Sequence, residues 1–176
     1  MSVRLIGLCG FKQCGKSTAS KALVSDGFHK LSFAGPLKGM LAALGLTEAQ
    51  LNGDQKEVPC DLLGGKTPRW AMQSLGTEWG RECIDEHIWT RAFISQARRH
   101  LLAGTSVVCD DVRFPNEVHA IQQAGGKVIR ILRDGCETSN HESEFHIPSL
   151  KVDAYFLNNG SVQVMHQKLF NVIDGK

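Results

Sequence analysis

A short apolar run that stops at a glycine and restarts as a helix six residues on constrains this chain more than any other feature. Residues 3–9 (Val-Arg-Leu-Ile-Gly-Leu-Cys) read as a β-strand. Gly10-Phe11-Lys12-Gln13-Cys14-Gly15-Lys16-Ser17 follows, and residues 16–24 carry a helical pattern that closes near Asp26-Gly27. The segment matches G-x-x-x-x-G-K-S in the strand-to-helix setting that pattern requires. Its glycines let the backbone curl until successive N–H groups and the positive end of the helix face a phosphate. Lys16 adds a mobile charge that reaches the β- and γ-phosphates of a nucleoside triphosphate, and the Ser17 hydroxyl suits Mg²⁺. ATP with Mg²⁺ is the expected ligand pair. Gly10, Lys12, Gln13, Cys14, Gly15, Lys16, Ser17 and Thr18 are the candidate triphosphate contacts. Cys14, beside Lys16 at a helix start, sits where a thiol pKa can fall and oxidation would follow; the competing and favoured reading is an inert small residue.

Strand and helix signals keep alternating. A strand over 29–34 leads to Gly35-Pro36, with Pro36 at the first helical position and Leu37, Met40, Leu41 and Leu44 on one face. Thr47 and Gln50 form a capping-box pattern, and 52–65 reads as a loop around short turns. Thr67-Pro68 opens a helix toward Gly76, where a break is expected before a short helix over 78–84. A longer helix over 88–102 offers Ile88, Ala92, Ile94, Leu101 and Leu102 as its core stripe. Strands over 106–109, 127–132 and 153–157 then alternate with helices over 115–124 and 161–173. Continuous apolar strands separated by helices imply a mostly parallel sheet flanked by helices, a three-layer α/β fold.

At 176 residues the chain suits one domain, with a helical region about 36–103 and a long irregular segment about 134–149 that suits a lid over nucleotide. Twenty Lys+Arg against eighteen Asp+Glu is too balanced for binding a long run of nucleic-acid phosphates, so no nucleic-acid partner is expected. No apolar run is long enough for a membrane span, and six cysteines without a C-x-x-C pair suit reduced thiols in the cytoplasm.

Phosphoryl transfer asks for carboxylates at strand ends and for cations around the moving charge. Asp110 and Asp111 end the 106–109 strand; as neighbours on extended backbone they point to opposite sides, so one is expected to face Mg²⁺. Arg113, Arg69 and Arg133 are the candidate cations.

Phe33-Ala34-Gly35-Pro36-Leu37-Lys38, Thr67-Pro68-Arg69-Trp70-Ala71-Met72-Gln73-Ser74-Leu75-Gly76-Thr77-Glu78, Asp110-Asp111-Val112-Arg113-Phe114-Pro115-Asn116-Glu117 and His141-Glu142-Ser143-Glu144 together resemble the deoxynucleoside monophosphate kinases encoded by bacteriophages. The resemblance implies an adenylate-kinase-like P-loop NTPase fold and the use of Mg-ATP to convert a deoxynucleoside monophosphate to its diphosphate. By that analogy Lys38, Arg69 and Arg113 meet the acceptor phosphate, and Trp70 and Gln73 border its sugar or base. Arg133 belongs to the lid and the ATP site, and His141 and Glu144 lie near the nucleotide cleft. Lys16, Arg113, Asp111 and Arg133 form the implied catalytic set, and Ser17, Asp110 and Asp111 the implied metal ligands. Gly35 stands where the resemblance calls for an acidic residue, which bears on acceptor selectivity. A cytoplasmic location is expected, the host cytoplasm if the chain is phage-encoded, and a homodimer is left open. Competing readings are a P-loop kinase for another acceptor, of phosphomevalonate type or a modified-nucleotide hydroxyl, and a nucleotide-dependent switch.

Overall fold

Val107-Val108-Cys109 has no polar face to turn to water, and all three residues are buried in β3 (Val107–Cys109), beside the fully buried β1 (Leu5–Cys9). The computed structural model describes residues 3–136 and 146–175. These fall into two units, Met1–Phe33 with Ile94–Lys176, and Ala34–Phe93.

The first unit is a five-stranded parallel sheet in the order β2-β3-β1-β4-β5, with β2 at His29–Leu31, β4 at Lys127–Leu132 and β5 at Ala154–Leu157. Leu5 of β1 lies opposite Val107, and Ile6 opposite Lys127. Parallel strands need crossovers, and these put helices on both faces. On one face, α1 (Lys16–Ser25) and α7 (Val162–Asp174) pack Ala19, Leu23, Met165, Leu169 and Ile173 against Ile6, Leu8, Val108, Ile129, Ile131 and Phe156. On the other lies α6 (Pro115–Gln123), where Ile121 sits so close to β1 that a Cβ on Gly7 would come within 2.7 Å of it. The three-layer α/β expectation holds. Because every strand runs the same way, the segments leaving β1 and β3, residues 10–15 and Asp110-Asp111, emerge at one edge of the sheet.

The second unit is helical: α2 (Gly35–Ala43), α3 (Glu48–Leu51), 3₁₀ turns Asp54–Glu57 and Asp61–Leu63, α4 (Pro68–Ser74), a π-helix Leu75–Ile84 and the start of α5 (Ile88–Leu102). Its core joins Leu37, Leu41, Leu46, Leu51, Ala71 and Trp89. The capping pattern forms as read: Gln50 N–H donates to Thr47 Oγ1 and Thr47 N–H to Gln50 Oε1 at 2.8 Å. Thr67 Oγ1 likewise accepts from Trp70 N–H at 3.1 Å. No described helix is long and apolar enough to cross a membrane.

Three local expectations need correction. α2 begins one residue early, at Gly35, and its buried stripe narrows to Leu37 and Leu41, with Met40 and Leu44 exposed. α5 buries Trp89, Phe93 and Ala97, a stripe at i, i+4 and i+8, while Leu102 is 90% exposed. Gly76 does not break the chain, because α4 runs directly into the π-helix. The physical reason is Trp89: its indole N–H donates to Gly76 O at 2.7 Å, and its ring lies against Gly80, where a Cβ would meet Cζ2 at 2.5 Å. The glycines that read as stops instead make room for an aromatic ring.

Gly80→Ala is therefore expected to lower the unfolding free energy by about 1–3 kcal/mol through overpacking, read as a fall in the urea midpoint. Gly39→Ala in α2, with nothing within 4 Å of the added carbon, should be neutral or slightly stabilising. Equal effects of the two substitutions would contradict the packing account.

His29 of β2 stacks on His100 of α5 with ring centroids 3.8 Å apart. Desolvation, and then the neighbouring imidazole's charge, hold the His29 pKa below its ordinary value. The folded chain thus takes up this proton less readily than the unfolded one. The stabilisation is present above about pH 6.5 and is lost as pH falls toward the folded pKa. His29→Gln should flatten the acid side of a stability profile measured by urea denaturation between about pH 7.5 and 5.5.

Candidate active site

The turn from β1 into α1 is built from backbone that ordinary residues avoid. Gly10 and Gly15 have φ of 142° and 104°, and Gln13, at φ 66°, is the one non-glycine with positive φ among the described residues. A Cβ on Gly10 would sit 2.5 Å from Ile131 O, so the loop presses directly on the end of β4. Gly15 is the N-cap of α1 and offers no side-chain cap, and the first turn holds no acidic residue. The first amides of α1 are left for a ligand to satisfy, at the end of the helix where partial positive charge gathers. Lys16 curls over the loop, its Nζ donating to Gly10 O and Phe11 O, both at 2.7 Å. Lys12, Gln13, Ser17 and Thr18 are exposed along the same turn.

Cys14 does not follow the lowered-pKa alternative. It is 1% exposed and packs into the sheet core, and this burial pushes its thiol pKa up despite the neighbouring Lys16. Proximity to a helix start is outweighed by desolvation, since the side chain points away from the amides and into the core. Cys9 is raised for the same first cause.

Asp110 and Asp111 diverge as adjacent residues on extended backbone should. Asp110 Oδ2 accepts from Lys30 Nζ at 2.6 Å, and Asp111 Oδ1 accepts from Phe33 N–H at 3.1 Å and from the Cys109 thiol at 3.0 Å. Burial, and then the Asp111 charge, hold the Cys109 pKa well above its ordinary value, so the thiol is the donor. The pair thus ties the ends of β3 and β2 together. Glu117, buried in the first turn of α6, accepts from the backbone N–H groups of Arg113 (2.7 Å) and Phe114 (3.1 Å) and holds the chain that carries Arg113. Arg113 and Arg133 are exposed.

The remaining candidates lie in the helical unit. Arg69 Nε pairs with Glu57 Oε1, and Lys38 Nζ donates to Asn52 Oδ1 at 2.6 Å. Trp70 is exposed with Lys66 Nζ 5.3 Å from its ring centroid, and Gln73 is exposed four residues after Arg69 on α4. His141 and Glu144, like most of the expected lid, fall outside the described residues. Sequence reasoning missed Lys30, Glu117 and Asn158, whose side chain donates to Cys14 O at 2.9 Å. Only Glu117 carried a local signal, as an acid three residues after Phe114 at a Pro-led helix start.

A parallel sheet whose first strand feeds an uncapped helix through this loop defines a P-loop fold. A dephospho-CoA kinase from Campylobacter jejuni superimposes with a TM-score of 0.52 at 15% identity, over 97% of this chain and 98% of that one. A shikimate kinase from Aquifex aeolicus gives 0.51 at 12%, over 97% and 96%. Likenesses at that identity establish the fold. The sequence model of the deoxynucleotide monophosphate kinase family matches residues 66–169, and the chain belongs to that family. A protein of Acanthamoeba polyphaga mimivirus, provisionally named a deoxynucleotide monophosphate kinase, is 35% identical over 97% of this chain and 96% of its own length. The deoxynucleotide monophosphate kinase of Escherichia phage RB69 is 26% identical over 60% of this chain and 44% of its own. The protein is a nucleoside monophosphate kinase, phosphorylating a deoxynucleoside monophosphate to the diphosphate.

Alkylation of the native protein with iodoacetamide should label exposed Cys83 and spare Cys14. Mass spectrometry finding Cys14 labelled as fast as Cys83 would contradict the burial argument.

Proposed function

We propose that Mg-ATP is the phosphoryl donor, held by Gly10, Lys12, Gln13, Cys14, Gly15, Lys16, Ser17 and Thr18. The observation that carries this reading is the uncapped start of α1 behind a loop of positive-φ backbone, with the Lys16 amine at its rim. Amides of the loop and first turn take the β-phosphate oxygens, and Lys16 exchanges its two loop carbonyls for β- and γ-oxygens. The donor set fits a hard cation carried in with nucleotide: an exposed Ser17 hydroxyl at the helix start and the Asp110 and Asp111 carboxylates at the same sheet edge. Mg²⁺ that arrives with nucleotide keeps most of its coordination to phosphates and water. When bound, Mg²⁺ supplies charge neutralisation on the transferring phosphate.

The helical region about 36–103 takes the acceptor. Lys38, Arg69 and Arg113 bind its phosphate, and Trp70 and Gln73 border the sugar or base. For Arg69 this means leaving Glu57 for a stronger, doubly charged partner. The acceptor phosphate is already an ionised nucleophile near neutral pH, so positioning and electrostatics suffice without a general base. Arg113 and Arg133 stabilise the charge that spreads over the moving group; one such arginine is worth about 10³–10⁵ in rate. The segment about 134–149, with His141 and Glu144, closes over nucleotide and limits hydrolysis. The enzyme works in the cytoplasm on free nucleotides, without nucleic acid or membrane.

The assay is ADP release from Mg-ATP with each deoxynucleoside monophosphate in turn, and with mevalonate 5-phosphate. One or more monophosphates should stimulate release strongly. Arg69→Ala should chiefly raise the acceptor KM, and Lys16→Ala should abolish turnover. Stimulation by mevalonate 5-phosphate alone would defeat the acceptor assignment.

A further inference from the structure

Asn158 follows the last residue of β5 and extends the ladder, its backbone N–H donating to Leu132 O at 2.7 Å. Its side chain does not turn to water, for the residue is 8% exposed. Instead Nδ2 donates to the carbonyl of Cys14 at 2.9 Å, across 144 positions of sequence. The same nitrogen lies 2.2 Å from the point a Cβ on Gly15 would occupy. The phosphate loop is thus packed against this one amide, and Gly15 is needed partly to admit it.

We propose that Asn158 is a positioning residue for phosphoryl transfer, which aims the Gly15 N–H at the triphosphate by anchoring the Cys14 carbonyl. The peptide between Cys14 and Gly15 is planar and trans, so its C=O and N–H point in opposite directions. Holding the oxygen against the end of β5 directs the hydrogen, within the same peptide plane, to the opposite edge, away from Asn158. The partner must be a donor, since a buried carbonyl left without one costs free energy and frees the peptide to rotate. It must also be neutral: a carboxylate of the same shape would set an anion against the carbonyl and oppose the positive potential that draws phosphate. An amide meets both needs. This inference rests on the reading of residues 10–17 as the triphosphate site.

The test compares wild type, Asn158→Asp and Asn158→Ala by steady-state kinetics, calorimetric titration with Mg-ADP, and thermal unfolding. Both variants should raise the ATP KM and the Mg-ADP Kd by about tenfold or more, the worth of one buried hydrogen bond with its unpaired carbonyl. The acceptor KM should stay within about twofold, because the lost bond concerns the donor's phosphates alone. Lowering the pH to about 5.5 should restore part of the Mg-ADP affinity of Asn158→Asp relative to wild type, since a buried carboxyl protonates readily and then donates again; Asn158→Ala should show no such recovery. Unchanged ATP and ADP parameters in both variants would overturn the proposal. So would a fall in melting temperature with all kinetic constants unmoved, the mark of a merely structural side chain. Failure of the wild-type protein to bind Mg-ADP would overturn the triphosphate site itself, and is told apart by needing no variant.

Discussion

The rest of this structure is arranged around the start of α1, whose N-cap, Gly15, makes no side-chain cap among the described residues. Between the buried end of β1 and the start of α1 the chain turns through glycines at positive φ and a strained Gln13, and it supplies no side-chain cap to the helix it begins. Such a turn is unfavourable in isolation, since it carries orphan donors and restricted backbone. It is held because its surroundings leave no alternative. Gly10 is pressed against Ile131 O, Asn158 grips the Cys14 carbonyl, and the Cys14 side chain is fixed in the core beneath. The hydrophobic contacts of β1, β4, β5, α1 and α7 supply the free energy that offsets the strain.

Charge is organised by the same edge of the sheet. Asp110 pairs with the Lys30 side chain, while Asp111 with the Phe33 amide and Glu117 with the amides of Arg113 and Phe114 use an acid to fix backbone beyond the strand ends. The acids balance the basic groups of the region without capping α1, whose positive end keeps its affinity for anions. A kinase for an acceptor that is already a phosphate needs little more than this kind of preorganised field.

How much was legible follows from how local each cause is. The strand over 127–132 and the Thr47 and Thr67 caps came out as read, because alternation, apolar runs and capping residues act within a few positions. The phosphate loop was legible because its chemistry is written in consecutive residues. Gly76 misled, since its carbonyl is satisfied by the indole of Trp89, thirteen residues later, and the continuous π-helix depends on that bond. The α5 stripe shifted to Trp89, Phe93 and Ala97 because the large aromatic groups claim the core ahead of Ile94 and Leu102. The lowered-pKa alternative for Cys14 fails for a related reason: adjacency to Lys16 is visible in one dimension, whereas the direction of a side chain into a core is not.

The amino-acid sequence by itself determined the class of fold, the position of the phosphate loop and the family, since periodicity and motif are properties of neighbouring residues. Tertiary structure alone decided that Asn158 meets Cys14, that one oxygen of Asp110 accepts from Lys30 and one of Asp111 from the Phe33 amide, and that a π-helix joins α4 to the turn before α5. Those contacts span from 13 to 144 positions, and a hydrogen bond depends on distances that only the packed sheet and helices set.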